Sequence, residues 1–449
     1  MFIRAAQKIA AFPALVLLKN RPFALLWLAQ VISSLGDWAL AFVVPVTVYK
    51  ATGSKSALGI AIVCSTLPAL LFSLLGGVLA DRWNQRRTMI AADLARMAAI
   101  LLLLLVSNTQ HFGPHDLLLF YIVSFLVASF SCFSSPARQS LMRVVVPQEL
   151  LMQANSLVFT GAQSTWLLGP GIGALLLAWL SPKSVFVFDA ATFAVSALLI
   201  CFIQAVKPAA PAKPKAARGP AGVWEDAQEG IAYVGTSPIL RPALILLLVV
   251  VTATQVTNTL EFPFVHDLWG GGSKVYAGLV TLGFSAALLT GLAASGPLRS
   301  VPPARLLLVG FTLMGLTGLV FSVSAGIILG GAMLFLSGVG NTIENIGNMT
   351  LFQSSVPPHI QGRVSATVNL FGKLAMTCGG LLTVGLSAHF PGSGVLRPLF
   401  AAAAILYLCC GLLAWLTLGR FTAQDVIDAG KPPADPPPAT VDFAEVSLA

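Results

Sequence analysis

The 449-residue sequence is 56% hydrophobic and only 10% charged. An average soluble domain carries about 25% charged residues, so this composition excludes an ordinary soluble protein. The formal net charge of +9 could suggest a nucleic-acid partner. The basic residues, however, are concentrated in alternate loops between long apolar runs, which is typical of a membrane topology signal. We therefore expect a membrane protein without a nucleic-acid partner.

Twelve apolar runs are each long enough to cross a bilayer and predict twelve transmembrane helices. They lie at residues 23–49, 57–80, 88–106, 117–133, 155–180, 184–206, 239–262, 276–295, 304–323, 327–352, 364–388 and 395–418. This assignment puts 19 of the 26 Lys and Arg residues on the side of the termini, five on the other side and two inside helices. Under the positive-inside rule, both termini are then expected in the cytoplasm.

The remaining segments are expected to lie on the cytoplasmic side. Residues 1–22 surround a short apolar segment with basic residues and predict an interfacial helix, or alternatively an uncleaved signal-like start. Residues 207–238 predict a mobile linker rich in Pro, Ala and Lys, followed by an amphipathic helix on the membrane surface. Residues 419–449 are rich in Pro and Asp and predict a disordered tail. The predicted domains are two six-helix bundles, residues 23–206 and 239–418.

A charged hairpin joins the second and third predicted helices. It contains several residues that are expected to control gating: Gly77, Asp81, Arg82, Arg86 and Arg87. Asp81 is an acid in a basic loop and needs a cationic or dipolar partner, such as the positive N-terminus of the eleventh helix. The pattern Gly-x-Leu-Ala-Asp-Arg-x-x-x-Arg-Arg resembles the signature between helices 2 and 3 of the major facilitator superfamily of transporters. It departs from that signature at Asn84, where the family has Gly, and at Gln85, where it has a basic residue.

Three further motifs resemble the drug:proton antiporter branch of this superfamily, which includes macrolide and siderophore exporters. They are Ser-Ser-Pro-Ala-Arg ending at Arg138, Gln-Ala-Asn-Ser-Leu at 153–157, and Gln-Gly-Arg-Val containing Arg363. The motif around Gly169 and Pro170 resembles the helix 5 motif of the drug antiporters and predicts a bend and close packing at the interface of the halves. Arg138, Gly169, Pro170 and Arg363 are therefore expected to take part in gating.

The resemblance implies an all-α membrane protein with two bundles that rock around a central cavity. Residues 146–150 and 356–360 support a parallel repeat, because the similar sequences VPQEL and VPPHI lie 210 residues apart. The implied function is export of a small molecule driven by the proton gradient, by a monomer in the bacterial cytoplasmic membrane that needs no cofactor.

The first predicted helix carries a polar stripe. Gln30, Ser33, Ser34 and Asp37 are spaced i, i+3, i+4 and i+7 and share one face. A carboxylate near the middle of a span costs roughly 2.5–3.5 kcal/mol on insertion scales, so such residues are usually functional. We interpret the stripe as facing the cavity, with Asp37 exchanging protons and Gln30 and Ser34 contacting substrate. The alternative is a structural stripe packed against helix 5.

The tenth predicted helix carries a second stripe, which contains Asn341, Glu344, Asn345 and Asn348. It predicts a second proton-coupling acid, Glu344, with the three asparagines in the substrate cavity, or alternatively hydrogen bonds between helices. Lys373 on the next helix is also assigned to the cavity and is the candidate partner of Glu344. If Lys373 holds Glu344 ionised, Asp37 is the better proton carrier.

Other charged residues inside helices have simpler interpretations. Asp93 and Arg96 are three residues apart and predict an ion pair that supports the hairpin, with a direct substrate role as the alternative. Asp189 lies near the N-terminus of the sixth helix, where an acid is favourable without any function. Glu261 stays ambiguous.

Several function classes are excluded by missing motifs. The sequence has no phosphate-binding loop and no metal-ligand spacing, and its histidines and six cysteines form no catalytic set. We therefore expect a secondary active transporter and not an enzyme or a metalloprotein. Two alternatives stay open: a lysophospholipid or lipid transporter on the same fold, and a receptor or scaffold that moves no solute.

Overall fold

The computed structural model describes residues 17–106, 114–147, 150–203, 220–294, 301–357, 360–390, 392–419 and 421. Within these ranges the chain forms twelve helices of 20 residues or more. They are α1 (Arg21–Thr52), α2 (Lys55–Arg82), α3 (Gln85–Val106), α4 (Pro114–Val145), α5 (Leu151–Trp179), α6 (Pro182–Cys201), α7 (Leu240–Trp269), α8 (Ser273–Ala294), α9 (Pro303–Val323), α10 (Ile327–Ser354), α11 (Gln361–His389) and α12 (Leu396–Leu418). A shorter helix, Pro220–Thr236, precedes α7 and is called the linker helix.

Ten of the twelve long helices are long and apolar enough to cross a membrane. The other two, α3 and α5, have 22 and 29 residues and pack among these ten. The predicted interfacial segment before residue 17, the predicted mobile linker at 207–219 and the tail beyond 421 fall outside the described residues. The multi-pass membrane fold predicted from the apolar runs is confirmed.

The helices form two bundles with the same pattern of neighbours. In the first bundle, α1 contacts α5 and α6, α3 contacts α4 and α6, and α2 contacts α4. In the second bundle each pair recurs six helices later: α7 with α11 and α12, α9 with α10 and α12, and α8 with α10. The two most extensive contacts between the bundles are α2 with α11 and α5 with α8. They are equivalent under the same repeat, because α2 corresponds to α8 and α5 corresponds to α11. The parallel duplication predicted from the similar sequences at 146–150 and 356–360 is therefore visible in the packing.

Two glycines terminate equivalent helices of the repeat. Gly53 after α1 and Gly270 after α7 have φ angles of 61° and 65°, and they are the two residues with positive φ among those described. The Gly53 N–H donates to the carbonyl of Tyr49, and the Gly270 N–H donates to that of Val265. Glycine suits both sites because it lacks the Cβ that disfavours this left-handed conformation.

Some helices differ from their predicted bounds. α4 continues twelve residues past the predicted end at 133 and passes through Pro136, and α7 continues to Trp269. Prediction from apolar runs stops where polar residues begin, whereas a helix extends beyond the hydrocarbon layer without losing its hydrogen bonds. α5 is continuous through Pro170. Proline is tolerated within membrane helices because neighbouring groups satisfy the freed carbonyl.

The linker helix packs mainly against the second bundle, on α11 and α7, and also touches α2 of the first bundle. Gly230 is buried there, and a Cβ at this position would lie 2.9 Å from the Arg363 carbonyl oxygen. The Arg363 guanidinium also pairs with the carboxylate of Glu229, at 2.5 Å. The predicted gating residue Arg363 thus attaches the linker helix to α11.

Candidate functional site

The first bundle contains a charge network between α1, α3 and α6. Arg96 Nη2 donates to Asp93 Oδ1 at 2.7 Å, and Arg96 Nη1 lies 3.8 Å from Asp37 Oδ2. Ser196 on α6 donates to the other Asp93 oxygen at 2.6 Å. The Arg96 guanidinium also lies over the ring of Phe193, 4.5 Å from its centroid. The spacing of Asp93 and Arg96 predicted their pairing, but the sequence contained no signal that Arg96 also reaches Asp37.

Asp37 and Asp93 occupy different environments within this network. The Asp93 side chain is buried, whereas the Asp37 side chain is 42% exposed. The carboxylate of Asp37 is therefore the more accessible of the two. Asp93 holds Arg96 in place through a short, charge-assisted hydrogen bond.

A third acid, Asp189 on α6, lies beside the network. The residue is 0% exposed, and neither side-chain oxygen has a hydrogen-bond partner among the described residues. Gly36 on α1 faces Asp189 and Thr192, where a Cβ would collide with both side chains. A buried carboxyl group without a hydrogen-bond donor is costly, and the missing side chain at Gly36 gives it the space that it occupies. The interpretation of Asp189 as an ordinary residue near a helix N-terminus did not anticipate this burial.

The rest of the α1 stripe lies toward the chain-terminus end of the bundle. Gln30 donates to the Ser34 hydroxyl at 2.7 Å and accepts a hydrogen bond from the Arg138 guanidinium of α4. Arg138 also donates to Ser135 at 3.3 Å. A cavity of about 230 Å³ opens beside these groups, lined by residues of α1, α4 and α5 that include Trp27, Gln30 and Arg138. Gln30 of the stripe thus lines the cavity, and so does its hydrogen-bond partner Arg138 on α4.

The α10 stripe divides between two environments. Glu344 is 4% exposed and packs against Gly310 of α9, where a Cβ would lie 2.7 Å from the Glu344 backbone nitrogen. Asn348 donates to Glu344 Oε1 at 3.4 Å. Asn345 is exposed and donates to the Asn341 carbonyl at 2.8 Å. Glu344 thus lies inside the second bundle, whereas the Asn345 side chain is exposed.

The predicted pairing of Lys373 with Glu344 is wrong. Among the described side chains Lys373 has no salt bridge, and it lies within electrostatic range of Cys132 on α4 of the other bundle. The reason is that Glu344 points back toward α9, whereas Lys373 lies on the face of α11 that is turned toward the first bundle. Two residues that the sequence places at the same depth in the membrane can still lie on helix faces that point to different neighbours.

The Gly169–Pro170 motif also packs differently from expectation. A Cβ at Gly169 would lie 3.3 Å from the Leu35 carbonyl oxygen, and Gly173 faces Ala39 in the same way. Both glycines therefore bring α5 against α1 inside the first bundle, and not against the other half. Close packing was expected correctly, but with the wrong partner.

For part of the hairpin the structure describes the backbone but not the side chains. These residues are 73–82, which include Gly77, Asp81 and Arg82. Arg86 donates from Nε to the Ile200 carbonyl at 3.2 Å and from Nη2 to the Cys201 carbonyl, at the C-terminus of α6. The Arg87 side chain is exposed, and its backbone N–H donates to Asn84 at 3.0 Å. Arg86 therefore caps α6, as a cation at a helix C-terminus does favourably.

The bundles are joined at the end that carries the α1–α2 turn. Three hydrogen bonds cross between them there: Tyr49 Oη to Asp267 Oδ2 (2.6 Å), Lys50 Nζ to Ser273 Oγ (2.8 Å) and Lys55 Nζ to the Gly392 carbonyl (2.9 Å). The ring of Phe42 stacks on that of Tyr276, with centroids 5.3 Å apart. We call these contacts the outer seal. They were not predicted, because the sequence does not show that residues near the α1–α2 turn meet residues of the second bundle.

The match to known proteins agrees with this architecture. The family model described as Major Facilitator Superfamily matches residues 26–380, which is most of the chain. The chain belongs to the major facilitator superfamily. Members of this superfamily are transporters, so the expectation of a transporter and not an enzyme is confirmed.

Two relatives of this major facilitator protein are named as efflux proteins. Macrolide efflux protein A of Streptococcus pyogenes is 23% identical over 83% of this chain and 93% of its own length. The multidrug efflux pump Tap of Mycolicibacterium fortuitum is 25% identical over 92% of this chain and 99% of its own. A solved bacterial homologue of the human lysosomal transporter Spinster, inward-facing and occupied, has a TM-score of 0.66 at 13% identity and covers 92% of this chain and 98% of that one. The last likeness supports the fold alone.

Proposed function

We propose that this protein is a proton-coupled exporter of amphipathic small molecules, acting as a monomer in the bacterial cytoplasmic membrane. The named efflux relatives support export. The observation that carries proton coupling is the half-exposed Asp37 beside Arg96. In this proposal both chain termini lie in the cytoplasm, so the outer seal closes the extracytoplasmic end.

The charge network suggests how a proton changes the first bundle. Ionised Asp37 attracts Arg96 and links α1 to α3. Protonation removes that attraction, and Arg96 then stays bound to Asp93 alone. The α1–α3 contact thus has two states that differ by one proton, which is what coupling to alternating access requires.

Two further groups have secondary roles in this proposal. Glu344 is the second candidate for a proton-carrying residue, because Asn348 is its one hydrogen-bond donor among the described side chains. The hairpin residues from Gly77 to Arg87 close the cytoplasmic end when Asp81 meets the N-terminus of α11. The asparagines Asn341 and Asn345 contribute polar contacts for substrate.

The test is uptake into inverted membrane vesicles that are energised by a pH gradient. The compounds are a macrolide, an aromatic carboxylate drug and a lysophospholipid, so that drug export and lipid transport are compared directly. Asp37→Asn should abolish gradient-driven uptake while binding measured in detergent persists. Asp116→Asn, which removes an acid in the first turn of α4, serves as the control for loss of charge.

Each outcome selects one interpretation. Wild-type uptake by Asp37→Asn would remove this residue from the mechanism and turn attention to Glu344. Transport of the lysophospholipid alone would favour the lipid transporter. If none of the three compounds moves under any gradient, export of these three classes is refuted and the receptor or scaffold is favoured.

A further inference from the structure

One face of α11 is turned toward the first bundle. Lys373, Thr377 and Gly380 are spaced i, i+4 and i+7 and share this face. The hydroxyls of Thr377 and Thr66 on α2 are 2.8 Å apart and hydrogen-bonded. One turn further along, Gly380 meets Gly59, where a Cβ would lie 2.6 Å from the Gly380 carbonyl oxygen. The two helices are therefore in direct contact at the second and third positions of the face.

Lys373 continues this face beyond the contact. Its side chain is exposed, although Thr377 one turn away is buried against α2. Lys373 is twelve residues from the start of α11, or about 18 Å along the helix axis. Its electrostatic neighbour is Cys132 of α4, in the opposite bundle. The ammonium group thus lies between the two bundles at mid-depth in the membrane.

No described carboxylate neutralises this lysine. The described acids near mid-depth are engaged elsewhere: Asp37 and Asp93 contact Arg96, and Glu344 contacts Asn348. Asp189 is fully buried against Gly36 inside the first bundle. A cation within a membrane span is costly and normally pairs with another group. An anionic group bound beside Lys373 would therefore be stabilised by its positive charge.

The surroundings of Lys373 combine a polar and an apolar side. Asn369, one turn earlier on the same face of α11, is also exposed and can donate through its amide. On α4, Phe125 lies seven residues before Cys132 and so on the same face, and its ring contacts that of Phe72 at 6.2 Å. A ligand here would meet a cation and an amide at one end and aromatic rings at the other.

We propose that Lys373 and Asn369 bind the anionic group of an amphipathic substrate, whose apolar part rests against Phe125. This assignment rests on the proposed function, since it narrows the class of solute that is exported. The anionic group is a phosphate of a lipid-like molecule or a carboxylate of a small aromatic compound. Both present oxygens that accept hydrogen bonds from the ammonium and the amide.

The experiment measures binding without transport, so that it can fail or succeed independently of proton coupling. The full chain is placed in lipid nanodiscs with its other five cysteines replaced, leaving Cys132 opposite Lys373 as the reporter. The rate of Cys132 modification by a neutral maleimide is measured with dodecyl phosphate, 2-naphthoate or dodecyltrimethylammonium present. The variants are Lys373→Gln, Lys373→Arg and the control Lys274→Gln at the exposed start of α8.

We expect at least one anion to slow the modification of Cys132, whereas the cation does not. The concentration needed should rise at least about tenfold in Lys373→Gln, which corresponds to about 1.4 kcal/mol. Lys373→Arg and Lys274→Gln should stay close to the original chain. Protection by dodecyl phosphate alone assigns a lipid-like substrate, and protection by 2-naphthoate alone assigns a small aromatic acid.

Two results would overturn the proposal: equal protection by the cation, or protection by the anions that survives in Lys373→Gln. If Lys373→Gln does not fold, the unchanged lysine can still be tested with charged thiol reagents. A sulfonate-bearing methanethiosulfonate should then modify Cys132 faster than its trimethylammonium counterpart. The opposite order would show that no positive charge faces this site.

Discussion

Gly59 on α2 lies where any side chain would collide with α11 of the other bundle. A Cβ there would be 2.6 Å from the Gly380 carbonyl oxygen and 2.7 Å from a methyl group of Val384. Ordinary contacts of this kind begin near 3.4 Å, so Gly59→Ala forces the helices apart by several tenths of an ångström. Overpacking of this size costs about 1–3 kcal/mol.

The cost falls on one conformation only. α2 stays helical whether or not the outer ends of the bundles touch, so the helix-forming advantage of Ala over Gly cancels between the two states. The collision exists only while α2 and α11 are packed together. A penalty of about 1–3 kcal/mol therefore raises the population of the separated state by about 5- to 150-fold.

The assay uses a reporter cysteine at Ala277, which is 2% exposed within the outer seal, in a chain without its native cysteines. Labelling by an impermeant maleimide, added from the side of the α1–α2 turn, should accelerate in Gly59→Ala. Gly372→Ala on α11 is the matched control, because its Cβ would meet nothing within 4 Å. Equal labelling rates in the two variants would refute the packing argument.

Two further perturbations test the outer seal and the charge network. Tyr49→Phe removes the hydrogen bond to Asp267. Hydrogen bonds to charged groups contribute about 1.5–3 kcal/mol, so the same labelling should become about 10- to 150-fold faster. Tyr121→Phe, which loses a hydrogen bond inside the first bundle, should leave the rate unchanged, and acceleration by both variants would contradict a specific role in the seal. Asp93→Asn breaks a buried ion pair and should lower the free energy of unfolding by about 3–5 kcal/mol. Asp189→Asn, which breaks no ion pair among the described residues, should change it little. Thermal unfolding in detergent measures both, and a large loss for Asp189→Asn would show that it is ionised and paired.

The sequence predicted helices and shared faces well, because both depend on local periodicity. Apolar runs located all twelve helices, and the three-residue spacing of Asp93 and Arg96 predicted their pairing. The polar stripe containing Asp37 was found for the same reason. Each of these features needs only the geometry of one helix.

Contacts between helices were predicted poorly, because periodicity does not say which face meets which neighbour. Lys373 and Glu344 share a depth but lie on faces that point to different bundles. Asp189 was interpreted from its distance to a helix end, and its burial depends on the absence of a side chain at Gly36, on another helix. Such features become visible only when the helices are assembled.

The attachment of the linker helix to α11 has a mechanical consequence. Because Gly230 and Glu229 hold this helix against α11, it packs mainly with the second bundle, which then begins at residue 220, although the helix also touches α2 of the first bundle. The first bundle ends near Ile203, so only sixteen residues of chain join the two. At about 3.3–3.6 Å per residue, that chain can extend to roughly 55 Å, far more than rocking of adjacent bundles requires. A chain of that length does not limit rocking by its reach, so any constraint on how the halves turn has to come from the contacts between the bundles, namely the outer seal and the packing of α2 on α11 and of α5 on α8.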